Sequence, residues 1–420
     1  MKKIIIRDKT LIPPFNEPAR DLRIMNKPLW LYQRDVLSPY CHEELECSSL
    51  EEIPSFPQQI LSDELLVYRD NLFFDEFLFK DFIEKARQFG KAAQIAFSED
   101  DKAIVAHAVP LQTGIRLQDG LFVADLFYYP DGSKIENDQA TPLIIDTQPR
   151  EMGYYRVPTY MADERGDLAF NVPLKAFLSI ENWVHIFTAN VTFGIFSHGA
   201  RTEQSLDTLP TMLKVLWRSL VERKQFLSSS ALVIVGKGTR IDPKAIIQGP
   251  TIIGKNVTIE AGAVINASVI GDDVTIMQGV QLLLSVVGDG SYMAFRAALL
   301  QTTLMENSLV AQNTCLQLSV VGRDTFVGAG NTFTDVNLLA KPLKVMHKGS
   351  LEEVSMPVLG GCIGHNCRIG SGHILYPART IDSDVVLFAK QGRSVLSKNV
   401  SYDESDHHDY PGSEHIPKYH

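Results

Sequence analysis

The chain has 420 residues, enough for two or three domains with ample core. Hydrophobic residues make up 45% and charged residues 21%, a globular balance that excludes a largely disordered chain. With 50 acidic against 40 basic residues the formal net charge is -10, the opposite of what a duplex-DNA binder needs, so no nucleic-acid partner is expected. No apolar run approaches the ~18 residues of a spanning helix, and no membrane partner is expected. The five cysteines, Cys41, Cys47, Cys315, Cys362 and Cys367, are sparse and odd in number, which points to a reducing, cytoplasmic compartment.

Along the first half, Met1-Lys-Lys-Ile-Ile-Ile-Arg-Asp is too short an apolar run for a signal-peptide core, and Ile4–Ile6 predicts a first strand. Leu65–Tyr68 predicts a second, buried strand. A helix follows over Glu76–Phe89, with Phe77, Phe79, Phe82, Ile83 and Ala86 at helical spacing and Gly90 ending it. Ala92–Phe97 reads as the next strand, and the β-α-β order predicts a parallel α/β sheet. Asp70 then stands at the carboxyl end of a strand, where such sheets bind ligands. It fits equally well as a cap of the following helix, with Asn71. Ile104-Val105-Ala106 and Gly120–Tyr129 are expected as further strands. Thr147–Thr159, with Arg150, Arg156 and two tyrosines, is expected to line a substrate cleft. Leu206–Leu227 is amphipathic, with Leu209, Leu213, Leu216, Leu220 and Phe226 near one face. It reads as a linker helix packed on the first turn of the next domain, and Ser228-Ser229-Ser230 marks the boundary.

From Val235 a period of six appears: Val235, Ile241, Ile247, Ile253, Ile259 and Ile265, several followed by a small or acidic residue. A shifted register gives Ile270 and Ile276. The pattern returns at Leu309, Cys315, Val321, Val327 and Phe333, and again at Ile363, Ile369, Leu375 and Ile381. A helix needs a period of 3.6 and a simple sheet a period of 2. A period of six fits a three-sided solenoid in which each hexad is a short strand plus a turn and the aliphatic points inward. The stretch 341–361 breaks the period, and its lysines, His347, Pro342 and Pro357 predict an exposed loop leaving the prism. The segment 401–420, rich in Asp, His, Tyr and Pro, is expected to be a mobile tail. The organisation expected is an α/β domain over 1–205, a linker helix over 206–230, and an all-β solenoid over 231–400.

The repeat resembles the hexapeptide-repeat, left-handed parallel β-helix proteins. That resemblance implies the left hand, roughly eight coils and a homotrimer. The order of α/β domain, linker helix and β-helix resembles the short-domain branch of bifunctional UDP-N-acetylglucosamine pyrophosphorylase/glucosamine-1-phosphate N-acetyltransferase proteins. Four segments carry the likeness: Glu17–Arg23 around Asp21-Leu22-Arg23, Asn26-Lys27-Pro28-Leu29, Tyr68-Arg69-Asp70-Asn71, and Trp183–Asn190. The resemblance implies a nucleotidyltransferase-like domain with a reduced Rossmann-like sheet. It also implies a nucleoside triphosphate and a sugar phosphate as partners, with Arg23 and Lys27 holding phosphate oxygens and Mg2+ on Asp70 and Asn190. The residues also fit blander roles: Arg23 and Lys27 as surface ion pairs, Trp183 as core. The usual glycine-rich phosphate loop is missing, and Pro13-Pro14-Phe15-Asn16 stands in its place.

For acyl transfer the resemblance implies acetyl-CoA, a turn at Gly328-Ala329-Gly330 and a histidine base about one coil earlier. That position holds Gln312-Asn313, which cannot act as a base. His347, in the period-breaking loop, is the first replacement, ahead of His365 and His373. The expected function is a sugar-nucleotide enzyme acting on hexosamine 1-phosphate. A catalytically degenerate trimeric scaffold is the alternative. A third reading has His347, His365 and His373 holding one metal, as in carbonic-anhydrase-like β-helices.

Overall fold

The computed structural model describes residues 1–57, 61, 63–135, 139–156, 167–339, 341–410, 412 and 415–420. The chain divides into two compact units. The first comprises Met1–Ile12, Glu17–Gly153 and Ala169–His185; the second comprises Pro13–Asn16, Tyr154–Leu168 and Ile186–His420.

The first unit is built on a seven-stranded sheet: β1 (Lys2–Ile6), β2 (Glu43–Cys47), β3 (Leu65–Arg69), β4 (Ala93–Ser98), β5 (Ile115–Gln118), β6 (Leu121–Tyr129) and β7 (Thr141–Ile144). The order is β7-β4-β6-β3-β1-β2, with β5 hairpinned onto β6. β1 pairs parallel with both β2 and β3. β6 inserts antiparallel between β3 and β4, so the sheet is mixed rather than all parallel. α1 (Leu29–Leu37) follows β1, and α2 (Glu76–Phe89) follows β3. Asp75, not Asp70, caps α2, accepting the Leu78 N–H at 2.8 Å. Gly90 ends α2 with a φ of 67, where a side chain would be strained. The predicted strand at Ile104–Ala106 is instead a helical turn over Ile104–Ala108. The Asp101 carboxylate starts it by accepting the N–H groups of Ala103 and Ile104 at 3.0 and 3.1 Å. Of the expected cleft wall, residues 157–159 and the Arg156 side chain lie outside the described residues.

The second unit contains three eight-stranded parallel sheets wound as a left-handed β-helix. Each coil contributes one strand to each sheet. Three columns of aliphatics fill the prism: Ile253-Ile270-Val287-Leu304-Val321-Ile363-Ile381 is one, and Ile265-Leu282-Leu299-Leu316-Phe333-Leu375-Leu396 another. Every member is buried, and each contributes roughly 1.5–3 kcal/mol by leaving water. The register slip after Ile265 has a structural cause. One corner of the prism is a residue shorter, and Ala267, Leu284, Gln301 and Leu318 turn it in the left-handed region, with φ of 43 to 52. Another corner column places Asn256, Asp273, Asn307, Asp324, Asn366 and Asp384 in the same region, which Asn and Asp tolerate.

The period-breaking stretch is a hairpin of Lys344–His347 with Ser350–Glu353 rather than a wholly exposed loop. Val345 and His347 point to its buried face while Lys344 and Met346 face out. Lys348 and Gly349, both at positive φ, make its two-residue turn. The expected tail folds back on the prism. Its Asp406 accepts the Phe388 N–H at 2.7 Å, and the Lys418 and Tyr419 N–H groups bind the Asp384 carboxylate at 2.9 and 2.7 Å. The linker region holds two helices, α3 (Ser197–Leu206) and α4 (Leu209–Glu222). Contrary to expectation, the leucine face of α4 is its exposed face. Leu213 is 53% and Leu220 77% accessible, while Val215 is its one buried residue. Helical periodicity identifies an apolar face but not what covers it. Among the described residues no helix is long and apolar enough to cross a membrane.

Candidate functional sites

In the first unit a charged cluster forms where β1, β2 and β3 end. Ile6 pairs with Arg69, which sets Arg7 beside Asp70. The Asp70 carboxylate meets Arg7 Nε at 3.3 Å and Arg20 Nη1 at 3.2 Å, and accepts the Asp8 N–H at 2.8 Å. Both arginines also reach Glu46, at 2.8 and 3.5 Å. Asp70 is buried, and burial pushes its carboxyl up to about 6 against the pull of the Asp8 N–H and Arg7. Next to it, Asp125 is clamped by Arg69 at 2.5 Å and Arg116 at 2.6 Å.

The residues expected to hold phosphate have contacts of their own. Arg23 donates to the Asp21 carbonyl at 2.8 Å, and Lys27 pairs with Asp35 at 2.6 Å on the surface. The arginines that meet Asp70 are Arg7 and Arg20. Arg7 was recognisable in principle as the first charge after a strand parallel to the one before Asp70. Arg20 comes from a distant turn and carried no such mark.

The expected magnesium set does not fit. Asp70 is engaged by two guanidinium groups and a backbone N–H. Asn190, in the second unit, is fully buried and donates to the Ile186 carbonyl of its own helical stretch at 2.9 Å. Among the described residues no group of three or more His, Cys, Asp or Glu is placed to hold a metal ion.

In the second unit Gly328-Ala329-Gly330 forms a prism corner. The Ala329 N–H donates to Ser371 Oγ at 3.2 Å, Gly330 has a φ of 68, and a side-chain carbon on Gly328 would stand 2.7 Å from the Gly370 carbonyl carbon. Gln312 and Asn313 form the equivalent corner one coil earlier, where the Gln312 carbonyl accepts the Gly330 N–H at 3.1 Å. Three histidines follow different fates. His365 accepts the Arg323 N–H at Nδ1, 3.0 Å, and lies between the Phe15 and Tyr419 rings. His373 is fully buried, with Nδ1 3.2 Å from the Arg393 carbonyl. His347 sits on the hairpin with Nδ1 3.0 Å from Glu352 Oε1, and Ser350 Oγ steadies the same carboxylate at 3.2 Å. Glu352 can only accept, so Nδ1 carries a proton, and in the neutral ring Nε2 presents its lone pair. That Nε2, like the Nε2 of His373, is buried and has no hydrogen-bond partner among the described residues; what sets His347 apart is the carboxylate at its Nδ1.

The model of the bacterial transferase hexapeptide family (six repeats) matches residues 233–267. Among solved structures, the chain is similar to a mutant perosamine N-acetyltransferase from Caulobacter crescentus in complex with CoA and GDP-perosamine. The identity is 17%, the match covers 36% of this chain and 53% of that one, and the TM-score is 0.18. It is also similar to the UDP-N-acetylglucosamine acyltransferase of Francisella novicida, at 15% identity over 40% of this chain and 62% of that one, with a TM-score of 0.19. The chain thus spans less than two thirds of either. No curated protein sequence matches it.

Proposed function

We propose that the protein is an acyltransferase acting on an amino-sugar phosphate or its nucleotide, with His347 as general base. The observation that carries this reading is the His347–Glu352 pair with its open, buried Nε2. The hexapeptide-family match supports a transferase. In the reaction the sugar amine attacks the thioester carbonyl of acetyl-CoA. His347 Nε2 takes the amine proton as the C–N bond forms. The C–S bond then breaks, and the proton passes to the departing coenzyme A thiolate. Glu352 holds the ring in the required tautomer and stabilises its charged form.

The test is release of free thiol from acetyl-CoA with glucosamine 1-phosphate. Turnover by the native protein, lost in His347→Ala with unchanged melting temperature, supports the reading. A trimer with no turnover would leave the scaffold alternative standing.

A second reading rests on the strand-end cluster. Arg7 and Arg20, poised at Asp70, suit binding of the phosphates of a nucleoside triphosphate or sugar phosphate. The protein would then retain the nucleotide-binding half of a bifunctional enzyme. A melting-temperature rise with UTP that Arg20→Gln removes supports it; no rise at millimolar UTP overturns it. Assembly as a homotrimer is part of the proposal, supported by the exposed leucine face of α4. Light scattering on the native protein and on Leu213→Glu tests it.

A further inference from the structure

The end of the second unit formed by α4 and the first coil is apolar and uncovered. Val235, Ile241 and Ile247 open the three columns of the prism, each on the terminal strand of its sheet. Val235 is 45% and Ile241 37% accessible, whereas their partners one coil on, Ile253 and Ile259, are buried. A hollow of about 580 Å³ is lined by these first-coil residues, by Ile246, and by Lys224 and Ser230 from the segment after α4.

On α4, Leu209, Leu213, Leu216 and Leu220 recur every third or fourth residue and form one exposed stripe. Trp217, 64% accessible, and Val221 widen it along one side, and Lys214 and Arg218 border that side. Val215, the one buried residue of the helix, faces the protein. Arg218 Nη1 donates to Ser230 Oγ at 3.1 Å, which ties α4 to the start of the first coil. The charge of this end is opposite to that of the chain. Residues 197–255, from the start of α3 into the second coil, carry nine Lys and Arg against four Asp and Glu, a formal +5 within a chain of -10. Arg218 and Lys224 share Glu222, at 4.0 and 3.6 Å. Lys214, Arg223, Lys237, Arg240 and Lys244 are exposed and form no ion pair among the described residues.

We propose that this end of the protein docks on the surface of an anionic lipid bilayer, with α4 lying in the plane of the interface. The leucine stripe and Trp217 enter the boundary between headgroups and acyl chains, and the unpaired cations of α4 and the first coil meet lipid phosphates. Lys214 and Arg218, at the border of the stripe, reach the headgroups while their stems stay on apolar surface. A spanning helix needs ~20 apolar residues, and an in-plane helix needs only one apolar face. A second copy of the chain is the other candidate for this face, and the homotrimer proposed above draws on its leucines. Packing α4 on α4 would set cations of the same sign against one another, which opposes association. An anionic surface answers the apolar stripe and the charge together. This face contains neither His347 nor the Asp70 cluster, so its role stands or falls separately from the proposed activity.

The test is flotation of the full chain with vesicles of equal parts phosphatidylglycerol and phosphatidylcholine, and with vesicles of phosphatidylcholine alone, beside light scattering without lipid. The native protein is expected to float with the mixed vesicles, to bind phosphatidylcholine about tenfold more weakly or less, and to be released by high salt. The double variant Leu216→Glu with Leu220→Glu should weaken binding to the mixed vesicles at least about tenfold, and so should Lys214→Gln with Arg223→Gln. All four side chains are exposed, and matched melting curves establish that the variants fold. No binding to the mixed vesicles at millimolar lipid overturns the proposal. Binding by either double variant equal to that of the native protein overturns it too, since the apolar stripe or the cations would then have no part. Equal binding to both kinds of vesicle rejects the anionic surface. An oligomer that Leu216→Glu with Leu220→Glu dissociates, with no vesicle binding by the native protein, assigns the face to a second copy and rejects the lipid.

Discussion

Asp70 in the first unit and His347 in the second are both buried, and both have charged neighbours. Their partners engage them differently. Asp70 faces two guanidinium groups and a backbone N–H, so its oxygens are already occupied. His347 has one carboxylate behind it and an unused lone pair in front. A buried group whose hydrogen-bonding capacity is filled orients its neighbours. A buried group with one open valence is poised for a partner that the chain itself does not supply. In the first unit, therefore, the arginines around Asp70 are the groups expected to meet ligand; in the second, the histidine itself is.

The sharpest way to break this contrast is at His347. Its replacement by Ala should lower the rate of acyl transfer by roughly 100- to 10,000-fold, the usual contribution of a general base. Glu352→Gln should give a smaller loss, because the ring keeps its place but loses the charge that stabilises its protonated form. Turnover assays on the two variants, with equal melting temperatures, decide it. If His347→Ala keeps full rate, the open lone pair is structural and the contrast with Asp70 has no functional content.

The scaffolds beneath the two sites can be compared through their cores. Leu299 is buried in the middle of an aliphatic column, with a copy of its role above and below. Leu299→Ala should cost about 2–5 kcal/mol through lost transfer energy and the cavity left behind. In a solenoid each coil contacts only its neighbours, so the loss should be concentrated in the adjacent coils. Denaturant unfolding combined with hydrogen exchange would detect this. Uniform loss of protection across both units would show the prism to be a single cooperative block with the sheet domain.

The prism was legible in sequence because its chemistry repeats. Ile253, Ile259 and Ile265 meet one requirement at three successive walls, and Val321, Val327 and Phe333 meet it again. The middle coils read weakly because Leu282, Met293 and Leu299 fill the same positions with less uniform residues, and because the short corner at Ala267 shifts the count. In the first unit β1, β3 and α2 were legible from local pattern. The antiparallel insertion of β6 was not, since strand direction within a sheet depends on pairing far along the chain. The sites followed the same rule. Asp70 was found from its strand end, but its partner Arg20 lies 50 residues away in sequence and only the fold brings it in. His347 was found as a histidine in an interruption; Glu352 behind it follows from the hairpin register. The leucine face of α4 was correctly apolar, but its expected burial was not found.

The burial of Asp70 sets a dependence on pH. Burial raises its carboxyl from an ordinary 3.8 to about 6, so the native state binds this proton more tightly than the unfolded state does. Stability contributed at this group is therefore present below about pH 4, declines as pH rises through the window from about 4 to 6, and is flat above it. The shift corresponds to a change on the order of 3 kcal/mol. The measurement is the difference in unfolding free energy between native protein and Asp70→Asn across that window. The native protein should lose stability relative to the variant as pH rises. The opposite slope would mean that Arg7 and Arg20 outweigh burial and hold the carboxylate ionised throughout.

The smallest effect is expected at Lys27, the residue that resemblance had placed on phosphate. Its ammonium pairs with Asp35 at 2.6 Å, with both side chains well exposed to solvent. An exposed pair of this kind contributes about 0–1 kcal/mol, because water screens the attraction and both chains lose freedom in making it. Lys27→Ala should therefore leave the melting temperature nearly unchanged. It should also leave any UTP-induced rise intact, whereas Arg20→Gln removes that rise. A loss of the UTP effect in Lys27→Ala would show that the lysine leaves Asp35 for the ligand. The phosphate site would then extend beyond the Arg7–Arg20–Asp70 cluster, and the resting ion pair would be a latch that ligand binding opens.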